Sequence, residues 1–217
     1  MNYFFYLIDK IKQYYRVKNA NLIFTRLFIQ TPGHALSLTA RQKTGTDQIA
    51  WFYGEIDFDG FYKILQFIQP KPDEIFYDLG TGLGKPLAVA ALLYPFKKCV
   101  GIELFSDLTD PAQAIMQTLI QTHQNALPNP NIEIKIVQQD FLSSDFSEAD
   151  LVFINATCYI NETLQQITQQ LEKQLHLGAK VIITTQKPEL PGFKLLHRNV
   201  FMMGWGESMV SIYEKTV

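Results

Sequence analysis

The chain has 217 residues, of which 47% are apolar and 18% are charged, with 16 phenylalanines and 10 tyrosines. At this length a folded chain buries about 70% of the surface that its unfolded form exposes, so a large core can form. The composition excludes disordered, collagen-like and coiled-coil proteins. Its two cysteines, Cys99 and Cys158, are too few for a disulfide framework, which favours a reducing, cytoplasmic location.

The net charge of −2 hides an asymmetry between the start of the chain and the rest. Residues 1–50 hold seven basic and two acidic side chains, so the later residues are net acidic. A basic N-terminal helix is typical of a surface that contacts an acidic partner or a membrane, although a solvated face of an ordinary helix is the simpler interpretation. Nucleic-acid binders are usually more basic overall, so we expect no nucleic-acid partner.

The longest apolar run, Pro86–Phe96, is too short to cross a bilayer, and we expect no transmembrane segment. The start of the chain carries no basic leader with a cleavage site, so we expect no secretion signal.

The first 50 residues predict a small helical extension. Apolar residues within Phe4–Tyr15 recur at helical spacing, which predicts an amphipathic helix. A second apolar stretch, Leu22–Ile29, runs into a Thr-Pro-Gly breaker, and the polar segment Arg41–Asp47 predicts a loop. We place the domain boundary after residue 50, with an extension or lid over 1–50 and a cofactor-binding domain over 51–217.

From residue 74 onward, strand and helix patterns alternate. The predicted strands are Glu74–Leu79, Cys99–Leu104, Ile132–Val137, Leu151–Ile154, Val181–Thr185, Phe193–Met202 and Met209–Tyr213. Helices are predicted over Gly84–Tyr94, from an Asp110-Pro111 start, and from a cap at Asn161. This alternation predicts a Rossmann-like, doubly wound α/β fold: seven strands, mainly parallel, ending in an antiparallel hairpin.

The junction of the first strand and the following helix carries D-L-G-T-G-L-G, residues 78–84. The candidate ligand-binding positions within it are Asp78, Gly80, Thr81, Gly82 and Gly84. Glycines let a ligand approach the backbone, and the helix N-terminus offers unpaired N–H groups. The spacing is not the G-x-G-x-x-G of pyrophosphate cradles, and the acid before the glycines would repel a pyrophosphate. It suits a ligand with a cationic amino group.

Two further acids follow strands. Glu103 ends the second strand, where a carboxylate accepts both hydroxyls of a ribose. Asp140 and Phe141 follow the third, where they suit the exocyclic amine and the ring of a purine. Three acids at successive strand ends fit an adenosyl ligand that bears an amino acid, and S-adenosylmethionine is the best candidate cofactor.

A structural interpretation competes with each of these assignments. The glycines also suit a tight strand-to-helix turn without a ligand, but the spacing of Asp78 and Glu103 favours a cofactor site. Asp140 alone is weaker, because acids after strands often cap helices. The four histidines show no ligand spacing, so we propose no metal site.

At these motifs the sequence resembles the class I S-adenosylmethionine methyltransferases. It resembles, more narrowly, the disruptor-of-telomeric-silencing family of histone lysine methyltransferases, which lack the SET fold. The resemblance rests on Tyr53-Gly54-Glu55, the glycine motif, Gly101-Ile102-Glu103, Asp140-Phe141-Leu142 and Val152-Phe153-Ile154-Asn155.

The resemblance implies that Tyr53 and Glu55 enclose the methionine end of the cofactor and that Asn155 lies beside the reactive methyl group. It makes Asn155 and Tyr53 the candidate catalytic residues. The chain departs from the family pattern at Ala156, where a second Asn is usual, and at Lys85, where Gln is usual. The long N-terminal helical region and the basic tail that the family uses on nucleosomes have no counterpart in these 217 residues, so we expect no nucleosome substrate, while a protein lysine remains a candidate acceptor.

We expect transfer of a methyl group to an amine, most of all a protein lysine, with Asn155 orienting the neutral amine. The candidate walls of an acceptor channel are Trp51, Phe52, Tyr53, Tyr159 and Trp205. Two alternatives stay open: a small-molecule methyltransferase with the N-terminal helices as a lid, and a non-catalytic binding module that uses the same fold. The glycine spacing disfavours a dinucleotide oxidoreductase.

Overall fold

The structure is a computed structural model that describes residues 2–44, 54–159 and 161–217. Its centre is a seven-stranded sheet in the order β3-β2-β1-β4-β5-β7-β6. The first five strands are parallel, and β7 runs antiparallel to both β5 and β6. The predicted doubly wound fold with its antiparallel C-terminal hairpin is therefore confirmed.

The strands lie close to the predicted runs. Their bounds are β1 Ile75–Leu79, β2 Lys98–Glu103, β3 Glu133–Gln138, β4 Leu151–Ile154, β5 Lys180–Thr184, β6 Phe193–Met203 and β7 Gly206–Lys215. The helices are α1 Asn2–Phe28, α2 Gly33–Thr44, α3 Phe58–Ile68, α4 Lys85–Leu93, α5 Ser106–His123 and α6 Asn161–Gln174. Each parallel strand ends at the same edge of the sheet, where β1, β2 and β4 place the candidate site.

Two apolar cores cover the two faces of the sheet. Successive residues of a strand point to opposite faces, so Phe76 joins the core that contains α1, α3, α4 and α5, while Tyr77 joins the core under α6. Helix α4 is buried along nearly its whole length, which explains its run of alanine and leucine. The first core fixes the helix that follows the glycine motif.

The N-terminal residues differ from prediction in two ways. The segment 41–44, predicted as part of a loop, continues α2, while 45–47 lie outside the described residues. The predicted amphipathic helix lies within α1, but its apolar residues Ile11 and Tyr15 are exposed, and the buried residues of this helix, such as Phe24 and Phe28, lie further along the chain. The boundary after residue 50 also lies outside the described residues and stays a prediction.

Helix α5 begins one turn earlier than the Asp110-Pro111 signal predicts. The carbonyl of Phe105 accepts the N–H groups of Leu108 and Thr109, each at 3.0 Å, which starts the helix at Ser106. Leu108 and Thr109 are both buried, so tertiary packing overrides the local cap signal and leaves Pro111 inside the helix.

No helix among the described residues is both long enough and apolar enough to span a bilayer.

Candidate active site

The glycine motif forms the turn between β1 and α4 and rests on the end of β2. The N–H groups of Gly80 and Thr81 both donate to the carbonyl of Ile102, at 2.8 and 3.0 Å. Gly80 and Gly84 adopt φ angles of +84° and +81°, a left-handed conformation that favours glycine. A side chain on Gly101 of β2 would lie 2.6 Å from the Thr81 methyl carbon, so this turn needs a bare backbone beneath it.

Asp78 is the buried acid of this turn, with 1% of its surface exposed. Its Oδ2 accepts the Thr81 hydroxyl at 2.6 Å, while its Oδ1 is buried without a hydrogen-bond partner among the described residues. Burial, and then the nearby Glu103 carboxylate, raise the pKa of Asp78 to about 7, although the Thr81 hydroxyl opposes the shift. An unpaired buried carboxylate oxygen calls for a cationic or hydrogen-bonding partner.

Glu103, at the end of β2, is also buried, and its carboxylate binds the backbone of two loops. Its Oε2 accepts the N–H of Gly82 at 2.9 Å, and its Oε1 accepts those of Leu104 and Phe105 at 2.9 and 3.1 Å. Burial raises the pKa of Glu103, while these three N–H groups lower it in part. One lone pair of Oε2 stays open for a hydroxyl donor.

Asp140 and Phe141 follow β3, as predicted, and lie on the surface side of the same edge. Asp140 is exposed and its Oδ1 accepts the N–H of Leu142 at 2.9 Å, so it does cap a short 3-10 turn over 141–143. The Phe141 ring stacks on Tyr159, with ring centres 5.7 Å apart and planes inclined by 21°. These rings provide a flat apolar surface of the kind on which a purine stacks.

Tyr159 lies over the glycine turn, because a side chain on Gly80 would come within 3.1 Å of its hydroxyl oxygen. Burial and then the carboxylates of Glu103, Asp78 and Asp140 raise the pKa of its phenol. The sequence suggested Tyr159 only as a channel wall. Its place among the three acids was not predictable, since it lies in an irregular segment after β4.

Asn155, which follows β4, is held by three hydrogen bonds. Its Oδ1 accepts the hydroxyls of Thr157 and Thr184 at 2.8 and 2.7 Å, and its Nδ2 donates to the carbonyl of Gly54 at 3.0 Å. The side chain therefore ties the segment before α3 to the end of the sheet. Thr184 ends β5 and is fully buried, and no sequence motif pointed to it.

Glu55 forms an ion pair with Lys85, one of the two positions at which the sequence departs from the family pattern. Its Oε2 pairs with Lys85 Nζ at 2.6 Å, and each side chain is less than one fifth exposed. Its Oε1 is buried without a hydrogen-bond partner among the described residues. Lys85 Nζ also lies 5.6 Å from the ring centre of Phe28, so the end of α1 contacts this pair.

The turn of the C-terminal hairpin packs against the same segment. A side chain on Gly54 would meet Asn155 Nδ2 at 3.1 Å and the Trp205 ring at 3.2 Å. Similarly, a side chain on Gly204 would lie 2.4 Å from the carbonyl oxygen of Glu55. Trp205 thus lies near Gly54 and Asn155, and its role as a channel wall stays a prediction, while Trp51, Phe52 and Tyr53 lie outside the described residues.

Some of these groups line a small pocket at the carboxyl ends of β1 and β4, whereas Glu103, Asp140 and Phe141 do not belong to its lining. Its lining residues are Gly54, Glu55, Ile56, Asp78, Gly80, Thr81, Lys85, Pro86, Phe153 and Asn155. Two unpartnered carboxylate oxygens, of Asp78 and Glu55, belong to lining residues, which fits a ligand that carries a positive charge. Across the described ranges, no cluster of three or more His, Cys, Asp and Glu side chains is placed to hold a metal ion.

The sheet order with its antiparallel last strand, the glycine turn and the strand-end acids define the class I methyltransferase fold. A solved RNA methyltransferase from Salinibacter ruber, in complex with S-adenosyl-L-homocysteine, superposes with a TM-score of 0.55 at 20% identity. The match covers 72% of this chain and 90% of that one. Structural likeness at this identity shows the fold alone.

Sequence comparison places the chain in a family. Residues 37–200 match the family described as histone methylation protein DOT1. The chain therefore belongs to the DOT1 family, and the resemblance seen in the sequence motifs is confirmed.

Two curated relatives illustrate this similarity. A protein-lysine N-methyltransferase of Saccharolobus islandicus is 30% identical over 120 residues, covering 55% of this chain and 67% of that protein. A histone-lysine N-methyltransferase, H3 lysine-79 specific, of Caenorhabditis elegans is 27% identical over 139 residues. That match covers 62% of this chain but only 15% of the nematode protein.

Proposed function

We propose that this protein is an S-adenosylmethionine-dependent methyltransferase that transfers a methyl group to the side-chain amine of a protein lysine. The observation that carries the proposal is the buried Asp78 carboxylate, which lines the pocket and whose Oδ1 lacks a partner among the described residues. Membership of the DOT1 family supports the reaction, and the two curated relatives named for lysine methylation support the acceptor.

Each part of the cofactor has a candidate partner at the sheet edge. Asp78 Oδ1 suits the ammonium of the methionine moiety, since an ion pair there satisfies an otherwise orphaned buried oxygen. Glu103 offers the open lone pair of Oε2 to a ribose hydroxyl. Asp140 and Phe141 suit the adenine, and the backbone of the glycine turn permits close approach. Tyr53, outside the described residues, and Glu55 remain the predicted cover of the methionine end.

When bound, this cofactor supplies a methyl carbon made electrophilic by the adjacent sulfonium. The task of the protein is then to align an amine with that carbon and to exclude water. A lysine has a reference pKa near 10.4, so only about one in a thousand is neutral at pH 7.4. An aromatic wall such as Trp205 favours the neutral amine by removing water from it.

Asn155 acts here as a positioning residue first. Its Nδ2 donates a hydrogen bond to the carbonyl of Gly54, which positions the covering segment, residues 54–56, at the pocket. Both lone pairs of its Oδ1 accept hydroxyls, those of Thr157 and Thr184. Asn155 Oδ1 can accept a hydrogen bond from the lysine amine only after the hydroxyl of Thr157 or Thr184 turns away. The predicted catalytic role of Asn155 therefore includes a rotation of Thr157 or Thr184.

The test is transfer of a labelled methyl group. The purified chain is incubated with S-adenosylmethionine carrying a tritiated methyl group and a lysate of its host, and the protein fraction is hydrolysed and separated into amino acids. We expect label in methylated lysine, and we expect it to be lost in Asp78→Asn. Label confined to small molecules would support the alternative acceptor class instead. Cofactor binding without any label would support a non-catalytic module.

A further inference from the structure

Helix α1 has two apolar faces on opposite sides. The inner face is buried in the core from residue 20 onward, where it carries Ala20, Ile23, Phe24 and Phe28, while Tyr6 on the same side is 57% exposed. The outer face is exposed from Leu7 to Ile29. Its members, with their exposed fractions, are Leu7 46%, Ile11 47%, Tyr14 62%, Tyr15 64%, Leu22 49% and, just after the helix, Ile29 74%.

These six side chains lie along one side of the helix, in a stripe that is interrupted by Lys18 and Thr25. At 3.6 residues per turn they fall within an arc of about 100°, centred roughly opposite the buried face. The stripe runs from Leu7 to Ile29, about 33 Å at 1.5 Å per residue. None of the described residues covers this stripe enough to bury it. Single exposed apolar residues are common on protein surfaces, but a long aligned row of them is unusual.

Positive charge accompanies the stripe. Lys18 lies in the middle of the arc, and Lys10 and Arg26 flank it on either side. Helix α1 carries a single acid, Asp9, which projects to the far side from the stripe. An apolar face with Tyr, Leu and Ile bordered by Lys and Arg is the pattern of a helix that lies in the headgroup region of an anionic bilayer.

A second copy of the chain is a poorer occupant of this face. Residue 18 is the midpoint between Leu7 and Ile29, so parallel and two-fold antiparallel pairing both bring Lys18 against the Lys18 of the other copy. Such pairing buries like charges without a counter-charge on the same face. An anionic lipid surface instead meets Lys10, Lys18 and Arg26 with phosphates while the apolar side chains enter the acyl boundary.

We propose that the outer face of α1 docks this protein on anionic lipid bilayers, with the helix parallel to the membrane plane. The proposal is independent of methyl transfer, because the surface lies on the far side of α1 from the core. The helix does not cross the bilayer, in keeping with the absence of a spanning helix among the described residues.

The test is co-sedimentation of the full chain with vesicles of phosphatidylcholine, with and without one third phosphatidylglycerol. We expect binding to the anionic vesicles alone, weakening as salt rises. The variants Ile11→Gln/Tyr15→Gln and Lys10→Gln/Lys18→Gln should each weaken binding by about tenfold or more, since each removes two contributions to partitioning. The matched control, Leu177→Gln/Lys187→Gln, replaces an exposed leucine and lysine elsewhere and should bind like the parent.

All substituted side chains are exposed, and thermal unfolding checks that every variant keeps the fold. Failure of the parent to bind anionic vesicles would overturn the proposal, as would binding that both α1 variants retain. Light scattering supplies a further contrary outcome. A dimer that Ile11→Gln/Tyr15→Gln abolishes, without vesicle binding by the parent, would assign the face to a second copy.

Discussion

Glu103 accepts the backbone N–H of Gly82 at 2.9 Å, which joins the end of β2 to the glycine turn that follows β1. The same carboxylate also binds the N–H groups of Leu104 and Phe105, where the chain leaves the sheet. One acid thus shapes both loops that border the proposed ribose position. Its structural and ligand-binding roles are therefore coupled, and an experiment must separate them.

We predict that Glu103→Gln weakens binding of S-adenosylhomocysteine by roughly 10- to 100-fold. The substitution removes charge-assisted hydrogen bonds, each of which contributes about 1.5–3 kcal/mol. Calorimetric titration measures the affinity, and denaturant unfolding of the same samples measures the structural part. Glu133→Gln, on the solvent side of β3, is the matched control and should leave both unchanged. Unchanged affinity in Glu103→Gln would remove this residue from the site.

The raised pKa of Asp78 predicts how stability depends on pH in the ligand-free protein. The pKa of Asp78 in the folded protein is about 7, above the reference value of 3.8. Between these two pH values the folded state therefore holds a proton that the unfolded state has lost. Its contribution to stability is therefore fully present below about pH 4 and is lost as pH rises through 7.

We accordingly expect the free energy of unfolding to fall by about 2–3 kcal/mol between pH 5 and pH 8, because each pKa unit corresponds to 1.36 kcal/mol. Asp78→Asn cannot ionise and should flatten this part of the profile. Denaturant titrations at a series of pH values make the comparison. Superimposable profiles for parent and variant would show that Asp78 ionises in the folded protein as it does in the unfolded chain.

The Glu55–Lys85 pair should behave as a part-buried ion pair. Lys85→Met leaves Glu55 with both oxygens unpartnered, so we expect a loss of about 1–3 kcal/mol in unfolding free energy. The double variant Glu55→Gln/Lys85→Met should recover more than half of that loss. The exposed pair Lys43–Asp107 is the control, and Lys43→Met should cost less than about 0.5 kcal/mol. Strictly additive effects of the two substitutions would mean that the ion pair contributes nothing.

Asn155→Ala should lower turnover at least tenfold while S-adenosylhomocysteine affinity stays within about threefold, because its bonds position the covering segment and the acceptor. Thr184→Val, which removes one of the hydroxyls that hold Asn155, should lower turnover by less. Steady-state rates and calorimetry on the same preparations give both quantities. A large loss of cofactor affinity in Asn155→Ala would place this residue at the cofactor instead of the acceptor.

Local patterns predicted the sheet well and the N-terminal helices poorly. The strand β4 lies at the predicted bounds, because a fully buried parallel strand is a continuous apolar run. The apolar residues within Phe4–Tyr15 predicted an amphipathic helix, but their spacing gives no signal for which part of a long helix meets the core. Phe24 is buried where α1 packs against α3, with its ring centre 5.5 Å from that of Phe58, a contact between segments that are distant in the sequence.

The candidate site was predictable where backbone geometry constrains the sequence. The glycine turn and the acids Asp78 and Glu103 follow from positive φ angles and strand ends, which leave a fixed spacing. Thr184, Lys85 and Trp205 were not identified as a set, because they come from three segments that meet only in the folded chain. The predicted contacts of Tyr53 and the predicted cytoplasmic location stay predictions.

The edge of the sheet at Asp78 and Glu103 is proposed to bind S-adenosylmethionine, and calorimetric titration measures that binding without the need for a methyl acceptor. The purified chain is titrated with S-adenosylmethionine and, in parallel, with NADH. We predict saturable binding of the first at one site per chain, weakened in Asp78→Asn and in Glu103→Gln, with no binding of NADH. Binding of neither ligand, or of NADH alone, would show that this edge of the sheet is not a site for S-adenosylmethionine.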